Sequence, residues 1–231
     1  MQVGDPIGEG WEIYKRFWRH LLPIAFVVIL IIGLVTVLLH GAGALGAIGA
    51  FIVAIVGLYL VQAALVQAVA DVRDGRADLT LTETLASVVG QLGSILVASL
   101  LGGIAIGIGL LLLLAPGLYL LTIWSVIIPV IVLEGAGALE SFGRSRDLVR
   151  GYGWTVFGVI LITFLINFAV HVVLAIVLSG LTDSISSYLT TVIADTLVTP
   201  FAAAVLTAMY FRLKALQAPP EVASGAAYSD A

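Results

Sequence analysis

A stretch without any charged residue, from Leu92 to Leu133, constrains the fold of this chain more than any other feature. As one helix it would rise about 63 Å, twice the ~30 Å hydrocarbon core of a bilayer. Ala115, Pro116 and Gly117 lie near its middle and form a turn signal. The stretch therefore predicts two membrane-spanning helices joined by a short turn.

Apolar segments of similar length occur along the rest of the chain. Hydrophobic residues make up 61% and charged residues 10% of the sequence, whereas soluble domains carry roughly 25% charged residues. We expect an all-α polytopic membrane protein with six transmembrane helices. The fourth is the shortest and contains Pro129, so a re-entrant segment is its alternative. The predicted spans are Leu21–Leu39, Ala44–Ala70, Leu92–Leu114, Leu118–Leu133, Trp154–Leu178 and Ser187–Leu213.

The basic residues predict the orientation of these spans. All ten lie before span one, at the end of span six, or in the second and fourth connections, and the other connections carry none. Because positively charged loops remain in the cytoplasm, we expect both termini there. The ten residues are Lys15, Arg16, Arg19, Arg73, Arg76, Arg144, Arg146, Arg150, Arg212 and Lys214.

Three short amphipathic segments on the same side predict surface helices. Apolar residues recur in each at helical spacing, and Thr80 with Glu83 forms a capping box in the second. The chain thus reads as a domain over residues 1–216, with repeats at 5–70, 80–133 and 138–213, and a disordered cytoplasmic tail at 217–231. The three apolar faces are Ile7, Trp11, Tyr14 and Trp18; Leu81, Leu85, Val88 and Leu92; and Ala138, Phe142, Ser145 and Val149.

Several motif classes are excluded by composition or context. The chain has no cysteine and a net charge of −4, which argues against thiolate chemistry and nucleic-acid binding. Gly41–Gly46 matches a dinucleotide fingerprint but follows no strand. The run Asp71–Asp78 lacks the acidic spacing of a calcium loop. We expect no cofactor, no metal site and no enzymatic activity.

Polar residues inside the spans form the first candidate site. Span five rises from Trp154 and span six descends from about Ser187, which brings His171 and Asp195 to nearly the same depth. Asn167 and Thr199 match one turn deeper. Placing such residues in hydrocarbon costs free energy, so they are candidates for functional sites by default. A polar clamp between two helices and a proton or solute relay both fit this pattern.

Three arginines form the second candidate site. Arg144, Arg146 and Arg150 precede span five, where a basic cluster can hold anionic lipid headgroups. The alternative is that these charges only fix the orientation, with ion pairs to nearby acidic residues.

The region from Pro116 to Trp154 resembles a known membrane family. It contains Pro116-Gly-Leu-Tyr, Ile128-Pro-Val-Ile-Val-Leu-Glu134-Gly and Leu139-Glu-Ser-Phe-Gly-Arg144-Ser-Arg. This pattern is similar to the membrane domain associated with glycerophosphoryl diester phosphodiesterases, a set of prokaryotic polytopic proteins. The resemblance implies a prokaryotic plasma membrane. The phosphodiesterase barrel of some members is absent, so its chemistry does not carry over.

Together these features predict a non-catalytic integral membrane module. We expect an accessory or scaffold protein whose partners, besides the bilayer, are anionic lipid headgroups or a membrane or cytoplasmic protein. The alternative is a small transporter or channel that uses His171 and Asp195.

Overall fold

The computed structural model describes residues 1–40, 43–73, 75, 78–180 and 183–217, and these residues form nine helices and no strand. Six helical stretches are long and apolar enough to cross a membrane: Gly4–Leu39, Gly43–Val72, Leu92–Leu112, Leu114–Glu134, Gly153–Val177 and Tyr188–Gln217. The predicted all-α polytopic fold is confirmed. The helices are α1 (Gly4–His40), α2 (Gly43–Val72), α3 (Leu81–Val89), α4 (Leu92–Leu112), α5 (Leu114–Ile123), α6 (Ile127–Glu134), α7 (Ala138–Val149), α8 (Gly153–Val177) and α9 (Asp183–Gln217).

The first surface segment is continuous with the first span. Both belong to α1, which bends at Phe17 (φ −115°, ψ 17°) without ending. No glycine or proline lies beside this bend, so the sequence offers no signal that would separate the two parts. The ring centroids of Trp11 and Phe201 of α9 lie 6.1 Å apart, and both Trp11 and Trp18 remain half-exposed.

The second and third surface segments are separate helices. The backbone N–H of Glu83 donates to the Thr80 hydroxyl at 3.3 Å, and the Thr80 N–H donates to the Glu83 carboxylate at 2.8 Å. The predicted capping box of α3 is therefore confirmed. In α7, Phe142 packs edge-on against Trp124, with ring centroids 4.8 Å apart.

The fourth span is broken into α5 and α6 around Trp124. Pro129 lies in the first turn of α6, where its missing N–H costs no intrahelical hydrogen bond. The Ser145 hydroxyl of α7 donates to the Ile123 carbonyl at 2.8 Å, which satisfies a carbonyl at the break. Together α5 and α6 have the length of a complete span.

Glycines determine how closely α4 and α5 approach each other. A Cβ placed on Gly109 would lie 2.9 Å from the Gly117 Cα, so backbones meet here. Gly103 and Gly107 form a pair of small residues one turn apart, a spacing that often allows helices in lipid to pack closely. In the described part of the chain, however, nothing lies within 4 Å of a Cβ at either position.

Two buried apolar clusters hold the bundle together. One joins α1, α2, α3, α4, α6 and α9 around residues such as Leu21, Leu65 and Ile95. The other joins α6, α7, α8 and α9 around residues such as Leu148, Val156 and Tyr210. Helix α1 packs along both α2 and α9. The tail at residues 218–231, Arg76, and the turn residues 41–42 and 181–182 lie outside the described residues.

Candidate functional site

Ion pairs join the ends of three spans at one end of the bundle, which we call the basic end. Glu9 of α1 accepts from the Arg212 guanidinium of α9 at 2.6 Å. The Arg73 Nε, just beyond α2, lies 3.6 Å from the other Glu9 oxygen. The start of α1, the end of α2 and the end of α9 therefore share this end.

Glu134 forms a second hub at the basic end. Its carboxylate accepts two hydrogen bonds from Arg144, at 2.8 and 3.1 Å. It also accepts one from the Tyr210 hydroxyl at 2.7 Å and lies 3.1 Å from the Lys214 ammonium. These bonds to Glu134 raise the pKa of Arg144 above its usual range. Arg144, the first of the three predicted headgroup arginines, is thus engaged within the protein.

Arg146 and Arg150 remain available at the other end of α7. Both are exposed, and neither forms a salt bridge with any carboxylate among the described residues. They line an open groove of about 490 Å³ together with Tyr119 and Asp147. Two arginines and one aspartate give this groove a net positive charge.

A glycine in a left-handed conformation places this arginine pair. Gly151 has φ +85°, a region that other L-residues rarely adopt. The chain reverses there from α7 into α8, which sets Arg150 beside the first turn of the fifth span. Trp154, in that turn, is 88% exposed.

An apolar groove continues from the arginine pair. It has a volume of about 620 Å³ and shares Tyr119, Ile123, Gly151 and Gly153 with the charged groove. Its remaining walls include Leu118, Trp154 and Phe157. Tyr119 and Trp154 were missed as site residues by sequence reasoning. Trp154 follows the basic cluster at the start of a span, which is a recognisable interfacial signal, whereas no basic residue lies near Tyr119 in the sequence.

The structure brings His171 and Asp195 together between α8 and α9. The His171 Nε2 lies 3.2 Å from the Asp195 Oδ1. The His171 Nδ1 lies 3.1 Å from the backbone carbonyl of Asn167, one turn earlier. About a third of each side chain is exposed, so the pair lies at the edge of the bundle and not in a closed core.

A third groove, of about 690 Å³, runs past this pair. Asp195, Asn167 and Thr199 line it, so three of the four predicted intramembrane site residues face the same space. Gln62 of α2 and Tyr188 of α9 also line it, and neither was predicted as a site residue. His171 contacts Asp195 from beside the groove. Gln62 is recognisable in the sequence as a polar residue within span two, but no pattern in a single segment places it or Tyr188 beside Asp195.

In the residues that the structure describes, no group of three or more His, Asp or Glu side chains is placed to hold a metal ion. The expectation that the chain needs no cofactor stays a prediction. Of the glycine motif at 41–46, Gly41 and Ala42 lie outside the described residues.

One family model matches the chain. It is described as "Domain of unknown function (DUF7847)" and covers residues 77–213, more than half of the sequence. No curated protein and no solved structure matches the chain.

Proposed function

Because the chain belongs to the DUF7847 family of unknown function, we propose its role from its own contacts: it is a non-catalytic integral membrane module that binds an anionic phospholipid. One observation carries this proposal: Arg146 and Arg150, which form no salt bridge among the described residues, lie at the mouth of an apolar groove.

The chemistry of the two joined grooves fits one phospholipid. A phosphate attracts guanidinium groups, which bind its oxygens through several N–H donors. The apolar groove beside Trp154 offers a surface for an acyl chain. Tryptophan favours the headgroup region of a membrane, because its ring is apolar and its N–H is polar. A headgroup at Arg146 and Arg150 and a chain along Trp154 would therefore occupy both parts.

We also propose that the protein lies in a prokaryotic plasma membrane with both termini in the cytoplasm. The charge bias of the connections supports the orientation. The resemblance of residues 116–154 to the membrane domain associated with glycerophosphoryl diester phosphodiesterases supports the location. An accessory role beside a lipid-handling partner is consistent with that resemblance.

Lipid-dependent stabilisation tests the headgroup site. We expect phosphatidylglycerol to raise the Tm of the detergent-solubilised protein more than phosphatidylcholine, because a ligand stabilises the state that binds it. Since each basic residue near an anionic surface contributes about 1 kcal/mol, R146Q/R150Q should weaken phosphatidylglycerol binding by about 30-fold.

The matched control is R16Q/R19Q, which removes two other exposed arginines from α1, away from both joined grooves. This variant should keep the preference for phosphatidylglycerol. Equal losses in both double variants would show diffuse charge attraction and would contradict a defined site.

A small transporter is the second candidate function. The contact of His171 with Asp195 beside the 690 Å³ groove favours it, since paired ionisable groups in spans mark proton and ion pathways. Proteoliposomes containing the protein should dissipate an imposed pH gradient faster than empty liposomes, and D195N should remove the difference. Equal rates with and without protein would contradict proton movement.

A further inference from the structure

The groove beside His171 and Asp195 carries a single carboxylate among aliphatic and uncharged polar residues. Its residues come from α1, α2, α8 and α9, and none of the described residues that line it is a lysine or an arginine. Asp195 and Tyr188 are the titratable groups on its surface, and α1 and α2 contribute none. From α8, His171 faces Asp195. The volume of about 690 Å³ is that of a typical small-molecule site.

His171 has one polar contact on each ring nitrogen. The Asn167 carbonyl can only accept a hydrogen bond, so the 3.1 Å contact with the His171 Nδ1 is a hydrogen bond when Nδ1 carries a hydrogen. The 3.2 Å contact between Nε2 and Oδ1 is a hydrogen bond at the same time only when the pair holds a second hydrogen, on either the imidazole or the carboxyl. In both forms the pair has no net charge. Loss of this proton leaves a neutral imidazole and a carboxylate, a net charge of −1.

We propose that this groove binds an amphipathic monovalent cation in exchange for the proton that His171 and Asp195 share. The inference deepens the transport candidate by naming the class of ligand, and it is independent of the phospholipid site at Arg146 and Arg150. The exchange balances: the protein takes up one cation, the pair releases one proton to solution, and no covalent bond other than the bond to that proton changes.

Each part of the groove matches one part of such a ligand. The Asp195 carboxylate supplies the opposite charge. Its attraction for a cation is strong because hydrocarbon screens charges poorly. The ring of Tyr188 can attract a cation to its face. Gly33 makes room for this ring, since a Cβ there would lie 3.1 Å from the Tyr188 hydroxyl oxygen. Aliphatic side chains such as Ile32 and Leu58 contact the apolar part of the ligand.

Tetraphenylphosphonium is the probe for this site, and tetraphenylborate is its matched control. The two ions have nearly the same size and apolar surface but opposite charges. With the full-length protein in detergent, titration calorimetry should detect binding of the phosphonium and not of the borate. A pH indicator in weakly buffered solution should report about one proton released per bound cation. The phosphonium affinity should rise about tenfold per pH unit while the pair holds its proton.

Three variants separate the outcomes. D195N should lose both binding and proton release, whereas E12Q, which removes an exposed carboxylate of α1 outside all three grooves, should retain both. H171Q keeps the carboxylate without its proton-sharing partner, so it should bind the phosphonium with a shifted pH dependence. This variant keeps the test decisive if D195N fails to fold.

Three results would overturn the inference: phosphonium binding without proton release, equal binding of the borate, or undiminished binding by D195N. If the protein dissipates a pH gradient but fails these tests, the proposal of proton movement is retained and the inference of a cation site is rejected. The phosphatidylglycerol preference of wild type and R146Q/R150Q is measured separately and decides only the headgroup site.

Discussion

At the scale of single residues, Glu134 does more than any other described side chain to join the helices at the basic end. It ends α6, and its carboxylate contacts Arg144 of α7 and both Tyr210 and Lys214 of α9. Its side chain is only 18% exposed, so these contacts are partly shielded from water. Gly135 follows with φ +69° and turns the chain toward α7. Glu134 therefore ties three helices at one point.

Replacing Glu134 should destabilise the protein. A hydrogen bond to a charged group contributes about 1.5–3 kcal/mol, and the partial exposure of Arg144 and Lys214 reduces this. We expect E134Q to lower the free energy of unfolding by about 1–3 kcal/mol, measured by denaturant titration in mild detergent.

The control for this prediction is E12Q. Glu12 pairs with Lys15 at 2.7 Å, but the Glu12 side chain is 72% exposed, and exposed pairs contribute about 0–1 kcal/mol. If E134Q lowers the free energy of unfolding no more than E12Q does, the contacts of Glu134 add no stability.

The two residue clusters differ in how far the sequence predicts them. His171 and Asp195 lie on neighbouring antiparallel spans, so counting residues from the shared turn is enough to match their depths. Glu134 and Tyr210 are 76 positions apart. Their contact depends on how α6 packs against α9, which no local periodicity records. The same limit explains why Gln62 and Tyr188 were not predicted beside Asp195.

At the scale of helices, the capping box of α3 is a local device that the sequence predicts completely. Thr80 and Glu83 exchange hydrogen bonds across one turn, and no distant residue takes part. The bend at Phe17 is the opposite case. The change of direction there is set by the packing of α1 against α2 and α9, and the sequence on either side is equally helical.

The capping box gives α3 a pH dependence with a defined sign. Hydrogen bonds from Thr80 hold the pKa of the exposed Glu83 carboxyl below its usual range. A carboxyl whose folded pKa is lowered stabilises the fold above its unfolded pKa, and this stabilisation is lost as the pH falls through the folded value. We expect hydrogen exchange in the first turn of α3, corrected for intrinsic rates, to accelerate at acidic pH.

The variant T80A provides the comparison for α3. It should exchange faster at neutral pH and show a weaker acid response, because the hydrogen bond from the Thr80 hydroxyl, the larger cause of the lowered pKa of Glu83, is gone while the one from the Thr80 backbone N–H remains. The start of α7, where Gly137 offers no side-chain cap, should exchange alike in both proteins. An unchanged acid response in T80A would contradict this account.

The turn between α4 and α5 depends on two glycines that permit backbone contact. A Cβ on Gly117 would lie 2.5 Å from the backbone nitrogen of Leu110, which cannot move without shifting the helix. We expect G117A to lower the free energy of unfolding by about 1–3 kcal/mol through overpacking. Thermal unfolding in detergent, monitored by tryptophan fluorescence, measures it.

Gly103 of the neighbouring helix α4 supplies the matched control. No atom lies within 4 Å of a Cβ at this position in the described structure. G103A should be neutral or stabilise the protein by up to about 1 kcal/mol, since alanine favours helix more than glycine does. If G103A is as damaging as G117A, Gly103 is packed against something other than this chain.

At the scale of the whole molecule, each third of the chain supplies one surface segment and two spans. The segments are the start of α1, then α3, then α7, and each precedes a span that rises from the basic end. The predicted repeats at 5–70, 80–133 and 138–213 follow this division, and their common origin stays a prediction. Hydropathy predicts the number of spans well because lipid requires apolar side chains along the whole length of each span. The contacts between the three thirds depend instead on how distant helices pack, which hydropathy does not record.

Orientation is the last prediction, and it concerns all six spans together. The ion pairs from Glu9 to Arg212 and Arg73 require the start of α1, the end of α2 and the end of α9 to share one end. From the charge bias of the connections we expect that end to lie in the cytoplasm. The chain has no cysteine, so G41C, G75C and T182C each introduce a unique reactive thiol.

A membrane-impermeant maleimide should label G41C and T182C in intact cells and should leave G75C unlabelled until the cells are opened. Labelling of G75C alone in intact cells would mean that the whole bundle is inverted. Labelling of G75C together with either of the others would place connections from both ends of the bundle on the same side. That result would contradict the six-span alternation itself, because one span separates residue 75 from residue 41 and three spans separate it from residue 182, so residue 75 must lie opposite both.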